Sequence, residues 1–303
     1  MKIDNFRSPL FYMGDKFKLL DQLKNKFPKK INNFIEPFTG GGSVFLNIDA
    51  NKYFLNDRDK HLIGLHKHLL TSSKNQKLFF YNIKKTLDKY KLSKSYEKDI
   101  VPQSLRKKFV KTYYAKFNKE GYTKLKNDFN NGTKINYTSL YILLILGFNR
   151  ILRFNANGKF NLPVGNVDFN KNTALALNNY FKIIKTKKVK FHNQDYKKFL
   201  MNINFKKDDF LYCDPPYLIT AGEYNKYWNE DDENELLKKL DELNKNKVKW
   251  ALSNVIEYKG KTNKILINWS KKYKNCKIKS NYISFNDNTI KSFKEVLIHN
   301  YEQ

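Results

Sequence analysis

Cysteine is almost absent. Cys213 and Cys276 lie far apart in a chain of 303 residues and lack metal-ligand spacing. Neither a disulfide framework nor a thiolate zinc site is available, and a cytoplasmic compartment fits. Long apolar runs are missing as well. The stretch Tyr141 to Leu146 is far too short to span a bilayer, which takes about 20 apolar residues, and is expected as a buried helix. The N-terminus offers no apolar run for a signal peptide. Acids are scarce: 29 Asp and Glu face 58 Lys and Arg, a formal net charge of +29. A charge of that size repels itself in a compact chain, and a polyanion relieves it while releasing counterions. AT-rich codon usage accounts for Lys in place of Arg and for abundant Asn, but not for the missing acids. Nucleic acid is the expected partner, ahead of an anionic membrane surface.

Apolar residues make up 41% of the chain and aromatics 16%, enough for one large α/β domain or a catalytic domain carrying an insertion. Short β-branched or aromatic runs predict strands at 33–38, 52–56, 187–191, 209–213, 248–252 and 295–299. Helical patterns at 16–27, 195–202, 231–244 and 262–274 alternate with them. Such alternation predicts a largely parallel sheet covered on both faces. Residues 61–185 differ. They are rich in Lys, Tyr and Leu, mainly helical in pattern, and read as an insertion between the second and third strands. The remainder, 1–60 and 186–303, forms the catalytic domain. Within the insertion, Asn157-Gly158 between aromatic-polar runs signals a hairpin over 153–161. His61, His66 and His68 have no acid or thiol at metal spacing and read as a solvated helix face, so no metal is expected.

Two motifs carry chemistry. In Phe34-Ile35-Glu36-Pro37-Phe38-Thr39-Gly40-Gly41-Gly42-Ser43 a strand enters a glycine turn and then a helix. Glycines there let backbone approach a ligand at the carboxyl edge of a sheet. The spacing matches neither the dinucleotide fingerprint nor a P-loop. Asp57 closes the next strand, where an acid suits ribose hydroxyls; an N-cap for the following helix is a reading of equal weight. The second motif, Leu211-Tyr212-Cys213-Asp214-Pro215-Pro216-Tyr217, is more specific. Two prolines after a strand stop both ladder and helix and fix an extended loop. Asp214 and the Pro215 carbonyl can both accept from one amino group, and Tyr217 can stack on a planar ring beside it. That combination suits a flipped base carrying an NH2 group.

On these motifs the chain resembles the Dam-like adenine-N6 DNA methyltransferases, which place a glycine motif first and an Asp-Pro-Pro-Tyr motif last. The likeness implies a Rossmann-like, S-adenosylmethionine-dependent methyltransferase sheet with an inserted, mainly helical DNA-recognition domain. It also implies S-adenosylmethionine as cofactor and double-stranded DNA as partner. Tyr12, Gly14 and Lys16 align with a family segment that helps hold the cofactor. Phe11 stands where the family has a base-recognising lysine, and Asp15 where it has a second glycine. The implied cofactor residues are Tyr12, Lys16, Glu36, Pro37, Phe38, Gly40, Gly42, Asp57 and Asp195. For Asp195 an N-cap role is also a strong reading. The implied catalytic loop is Asp214, Pro215, Pro216 and Tyr217.

In relatives the segment matching 147–165 enters DNA. By that likeness Phe148 and Asn149 take the orphaned base position, and Arg153 reads a guanine, with Asn155 and Asn161 in the same segment. A core packing role for Phe148 is the bland alternative. A GATC-like core is suggested by the Arg153 hairpin, while the Phe11 departure leaves the first base open. The expected protein is a monomer, either an orphan or phage modification enzyme or one with a cognate restriction endonuclease as a further partner. Cytosine-N4, RNA and protein-glutamine methyltransferases use related loops, and Asp214 favours adenine. A non-catalytic DNA-binding protein of the same fold is the alternative from another class.

Overall fold

Six of the short apolar runs become strands of one sheet in the computed structural model, which describes residues 5–98, 100–220, 228–279 and 293–302. The strands are β1 (Asn33–Glu36), β2 (Lys52–Asn56), β3 (Val189–His192), β4 (Phe210–Cys213), β5 (Lys249–Tyr258), β6 (Lys261–Thr262), β7 (Lys274–Ile278) and β8 (Phe293–His299). The helices are α1 (Leu20–Lys24), α2 (Ser43–Leu46), α3 (Lys60–Ser72), α4 (Gln76–Lys89), α5 (Gln103–Lys108), α6 (Tyr113–Asn131), α7 (Tyr137–Leu146), α8 (Lys171–Ile184), α9 (Tyr196–Met201), α10 (Glu230–Lys245) and α11 (Lys264–Ser270). Two units divide the chain. One comprises Met1–Asp15, Gly40–Leu46 and Asp59–Thr186; the other comprises Lys16–Thr39, Asn47–Arg58 and Lys187–Gln303.

The second unit holds the whole described sheet, in the order β3-β2-β1-β4-β5-β8-β7 with β6 on β5. Strands β3 to β5 along this order are parallel, and β8 joins antiparallel to β5 and β7. All four residues of β4 are buried, as a central strand covered on both faces requires. The chain runs outward from β1 to β2 and β3 on one side and returns to β4 on the other. The strand order therefore reverses between β1 and β4, and the crevice at their carboxyl ends is where open α/β sheets bind ligands.

α10 begins with a capping box of Asn229 and Asp232, has four acids in its first turn, and ends on Lys245, matching the helix dipole at both ends. Its Leu236, Leu237, Leu240 and Leu243 pack into the core with Leu211, Trp250 and Ile298. The helix expected over 16–27 shortens to α1 behind one 3-10 turn, because no side chain caps it. The helix expected over 262–274 ends at Ser270, and β7 follows. Lys274 and Asn275 make β7 a polar edge strand, which lacks the apolar pattern that marks strands in sequence.

In the first unit, α7 is buried without a break from Leu140 to Leu146, as its composition suggests. It packs against α3, α4 and α6, and the Tyr122 hydroxyl donates to the Leu143 carbonyl at 3.0 Å. Burial of each such leucine contributes about 1.5–3 kcal/mol. The hairpin forms, with Phe154 bridging Phe160. The histidines of α3 are not a solvated face. His66 is 1% exposed and His61 stacks on Phe154 at 3.9 Å, while His68 lies near Phe79 and Tyr137. His66 falls on the stripe of Leu62, Leu65 and Leu69 that α3 turns to the core. Among the described residues, no helix is long and apolar enough to cross a membrane.

Candidate active site

β4 pairs with β1 and β5 up to Cys213, and the chain then leaves the sheet at Asp214. Pro215 and Pro216 have no N–H to continue the ladder, so the loop stays extended at the carboxyl edge. Tyr217 folds its hydroxyl back to donate to Asp214 Oδ1 at 2.9 Å. The Lys16 ammonium bonds both Asp214 Oδ2 at 2.9 Å and the Tyr217 oxygen at 2.7 Å. Glu295, on β8, completes the group at 3.3 Å from the Tyr217 hydroxyl and 3.7 Å from Lys16 Nζ. The hydroxyl has one proton and two carboxylates in reach, and lies nearer Asp214. Lys16 and Glu295 are buried, at 4% and 2% exposure. Asp214 thus keeps a fixed orientation, and each of its oxygens retains a second lone pair for a further donor.

Glu295 escaped the sequence reading, which took its segment only as a strand. An acid placed just before Val296-Leu297-Ile298 was the available signal. Pairing of β8 with β5 sets Glu295 opposite Val255, within reach of the Tyr217 hydroxyl. Lys16, expected among the cofactor residues, reaches Asp214 and Tyr217 with its ammonium.

Four neighbouring strands each end on an acid: Asp195 after β3, Asp57 after β2, Glu36 closing β1, and Asp214 after β4. Glu36 is 2% exposed, and its Oε2 has no hydrogen-bond partner among the described residues. Burial raises its carboxyl well above the usual range, and Asp214 and Asp57 push the same way. Asp57 is not the helix cap: Asp59 caps α3, accepting from the His61 and Leu62 amides. Asp195 does cap α9 through the Lys197 amide at 2.9 Å, and is exposed. Asn56 holds this edge together, donating to the Pro37 and Gln194 carbonyls. Phe38 packs beside Tyr196 and Trp228, with ring centres 5.2 and 5.7 Å away.

The glycine turn belongs to the first unit. Gly40 and Gly42 adopt left-handed φ of 52° and 78°. A Cβ on Gly41 would sit 2.8 Å from Cβ of Tyr12, and one on Gly42 2.4 Å from Phe45. Side chains could not pass here. The Ser8 hydroxyl donates to the Gly41 carbonyl, His66 Nε2 bonds the Gly40 carbonyl at 2.8 Å, and Ser43 reaches Asp15 at 3.2 Å. Burial pushes the His66 pKa down to about 4 against the opposing pull of the Gly40 bond, so the ring is neutral and its Nε2–H donates.

The segment expected to enter DNA lies in the same unit. Phe148 is 51% exposed, which excludes the core packing role, and Asn149 is exposed too. Asn155 Oδ1 accepts from the Asn157 and Lys159 amides and so shapes the hairpin turn. Arg153 donates through Nε and Nη2 to the side chain and carbonyl of Asn161, both at 2.9 Å, bracing the two arms.

A family model described as D12 class N6 adenine-specific DNA methyltransferase matches residues 12–286. The Type II methyltransferase M.FokI of Planomicrobium okeanokoites is 34% identical over 304 residues, covering 97% of this chain and 43% of that protein. Modification methylase StsI of Streptococcus sanguinis is 33% identical, covering 98% of this chain and 43% of its own length. The DNA adenine methylase of Escherichia coli (strain K12) is 30% identical over 227 residues, 72% of this chain and 68% of that protein. The chain therefore spans less than half the length of the first two.

Proposed function

The chain belongs to the D12 class N6 adenine-specific DNA methyltransferases, and on that premise we propose that it transfers a methyl group from S-adenosylmethionine to N6 of a flipped adenine in double-stranded DNA. The observation that carries this reading is the fixed Asp214–Tyr217–Lys16 geometry at the strand-order reversal.

The donor set fits the cofactor. An adenosine bearing an amino acid and a sulfonium is rich in donors and positive charge, and four acids line the strand ends. The buried, unpartnered Glu36 Oε2 is one acceptor for it; Asp57 suits the ribose hydroxyls and Asp195 the adenine amino group. Tyr12, Lys16, Pro37, Phe38, Gly40 and Gly42 complete the proposed set. When bound, the cofactor supplies the methyl group as an electrophile. Asp214 and the Pro215 carbonyl accept the two hydrogens of the adenine amino group, localising a lone pair otherwise spread into the ring. Tyr217 stacks on the base, and its tethered hydroxyl sets the tilt of its ring. The amino group becomes acidic only as it is methylated, so Asp214 has no proton to remove beforehand.

Residues 1–60 and 186–303 carry this chemistry, and 61–185 carry target recognition through Phe148, Asn149, Arg153, Asn155 and Asn161. We place the chain, as a monomer, within a restriction–modification system with a cognate endonuclease; the names of the relatives, a Type II methyltransferase and a modification methylase, support the restriction–modification setting. Asp214→Ala tests the assignment. Incorporation of label from tritiated cofactor is expected to fall to background while duplex binding persists. Digestion of methylated DNA to nucleosides is expected to give N6-methyladenine, and N4-methylcytosine would refute the base assignment.

A further inference from the structure

Three non-glycine residues of the first unit hold left-handed backbone within one small region: Phe11 at φ 48°, Asn149 at 54° and Arg150 at 52°. Phe11 is 8% exposed. Its ring carries two guanidinium groups, that of Arg150 at 4.4 Å from the centroid and that of Arg7 at 4.9 Å. Both sides of this contact are anchored to α7. The Tyr141 hydroxyl donates to the Pro9 carbonyl at 3.0 Å, and α7 runs directly into Gly147, whose carbonyl accepts from the Arg150 amide. Among the described residues Arg150 makes no ion pair; burial opposes its charge most and Arg7 adds repulsion, while Tyr141 and the more distant Asp168 carboxylate pull the other way. A partly buried cation with no carboxylate at ion-pair distance is costly to keep unless a partner meets it. Left-handed backbone at side-chain-bearing residues is costly; Lys91, Lys247 and Lys259 adopt it singly, whereas the three here cluster, as such residues do at functional sites.

Arg153 is placed differently. Its Nε and Nη2 are already engaged by Asn161, so the fork that would meet a base edge is partly consumed inside the hairpin. Arg150 follows immediately after the exposed Phe148 and Asn149 and has no such engagement. Packing on an aromatic face restrains a guanidinium, and a restrained fork matches the O6 and N7 acceptors of guanine.

We propose that Arg150, presented by the ring of Phe11, is a guanine-reading residue of the recognition segment, and that Arg153 acts mainly as the brace of the hairpin. The proposal rests on the DNA methyltransferase reading given above.

Arg150→Gly is the informative variant, because glycine accepts φ of 52° without strain and the fold should survive. Unchanged thermal melting and S-adenosylmethionine binding by calorimetry verify this. Wild type and variant are selected for binding against duplexes randomised around an adenine, and methyl incorporation is measured on the enriched pools. Wild type is expected to favour guanine at one position. Arg150→Gly is expected to lose that preference by about 10- to 100-fold there and nowhere else. Phe11→Leu, which removes the platform, is expected to weaken the same position to a smaller degree. An unchanged preference overturns the proposal. So does a uniform loss across sequences with a salt dependence shallower by about one, which marks a phosphate contact. A wild-type chain that methylates no duplex refutes the functional reading itself. One that methylates with a preference untouched by Arg150→Gly refutes this proposal alone.

Discussion

Lys16 is a single buried cation facing two carboxylates, Asp214 and Glu295, with the Tyr217 hydroxyl between them. Removing Lys16 would leave the buried Glu295 and the partly buried Asp214 without their counter-charge, a loss of up to about 3–5 kcal/mol in comparable buried pairs, so its variants confound folding with chemistry. Glu295 separates the two better. Glu295→Gln keeps the shape and an acceptor oxygen but withdraws one negative charge, leaving the ammonium closer to Asp214 alone. The aim of the Asp214 acceptors changes, whereas neither base nor cofactor loses a direct contact. The expected result is a fall in kcat of about 10-fold with KM for DNA and cofactor nearly unchanged, since about 1.4 kcal/mol of transition-state stabilisation is removed. Steady-state kinetics on a fixed duplex check it; a rise in KM at constant kcat would make Glu295 a binding residue instead. Asp214 and Tyr217 are legible in sequence because they are contiguous. Lys16 was singled out only by family likeness, as a cofactor residue, and Glu295 not at all, because 201 and 78 residues separate them from Tyr217 and only the fold brings them together.

At the level of elements, the glycine turn depends on α3. His66 donates to the Gly40 carbonyl only while its imidazole is neutral and buried, with its pKa pushed down to about 4. Unfolded, the same ring titrates near 6.5. The folded pKa is depressed, so the unfolded chain binds more protons between these values. This group's stabilising contribution is full above about pH 6.5 and is lost as pH falls toward 4, by up to about 3 kcal/mol. Urea denaturation across this window is expected to show that decline, and His66→Gln, which keeps a donor and cannot titrate, to flatten it. An equal slope in the variant would move the acid sensitivity elsewhere. The strand runs and α10 were legible because burial imposes periodicity on them. His66 was misread because histidine spacing was weighed without the leucine stripe it sits in. The backbone conformation of Phe11, Asn149 and Arg150 gave no signal, since left-handed backbone announces itself in sequence mainly through glycine.

Across the whole molecule, charge is segregated by task. Acids close four adjacent strands at the proposed cofactor edge, while residues 100–119 hold six Lys and Arg and no acid. Within that stretch Lys107, Lys108, Lys111, Lys116 and Lys119 are exposed and make no ion pair among the described residues. Lys108 and Lys116 lie instead over the ring of Phe109. On the proposed function, a chain with a net charge of +29 binds a duplex largely through counterion release. Each neutralised phosphate contributes a slope of about −0.9 in log K against log salt. A protein of this charge is expected to make six or more such contacts, so affinity should fall by roughly 10³-fold or more between 50 and 200 mM salt. Cofactor affinity, set by the acid row and by hydrogen bonds in a partly buried edge, should change little over the same range, because buried pairs are poorly screened. Fluorescence anisotropy of a labelled duplex and calorimetry of the cofactor, titrated side by side in salt, separate the two. A flat DNA response would mean that the excess of lysine reflects codon usage rather than a polyanion partner.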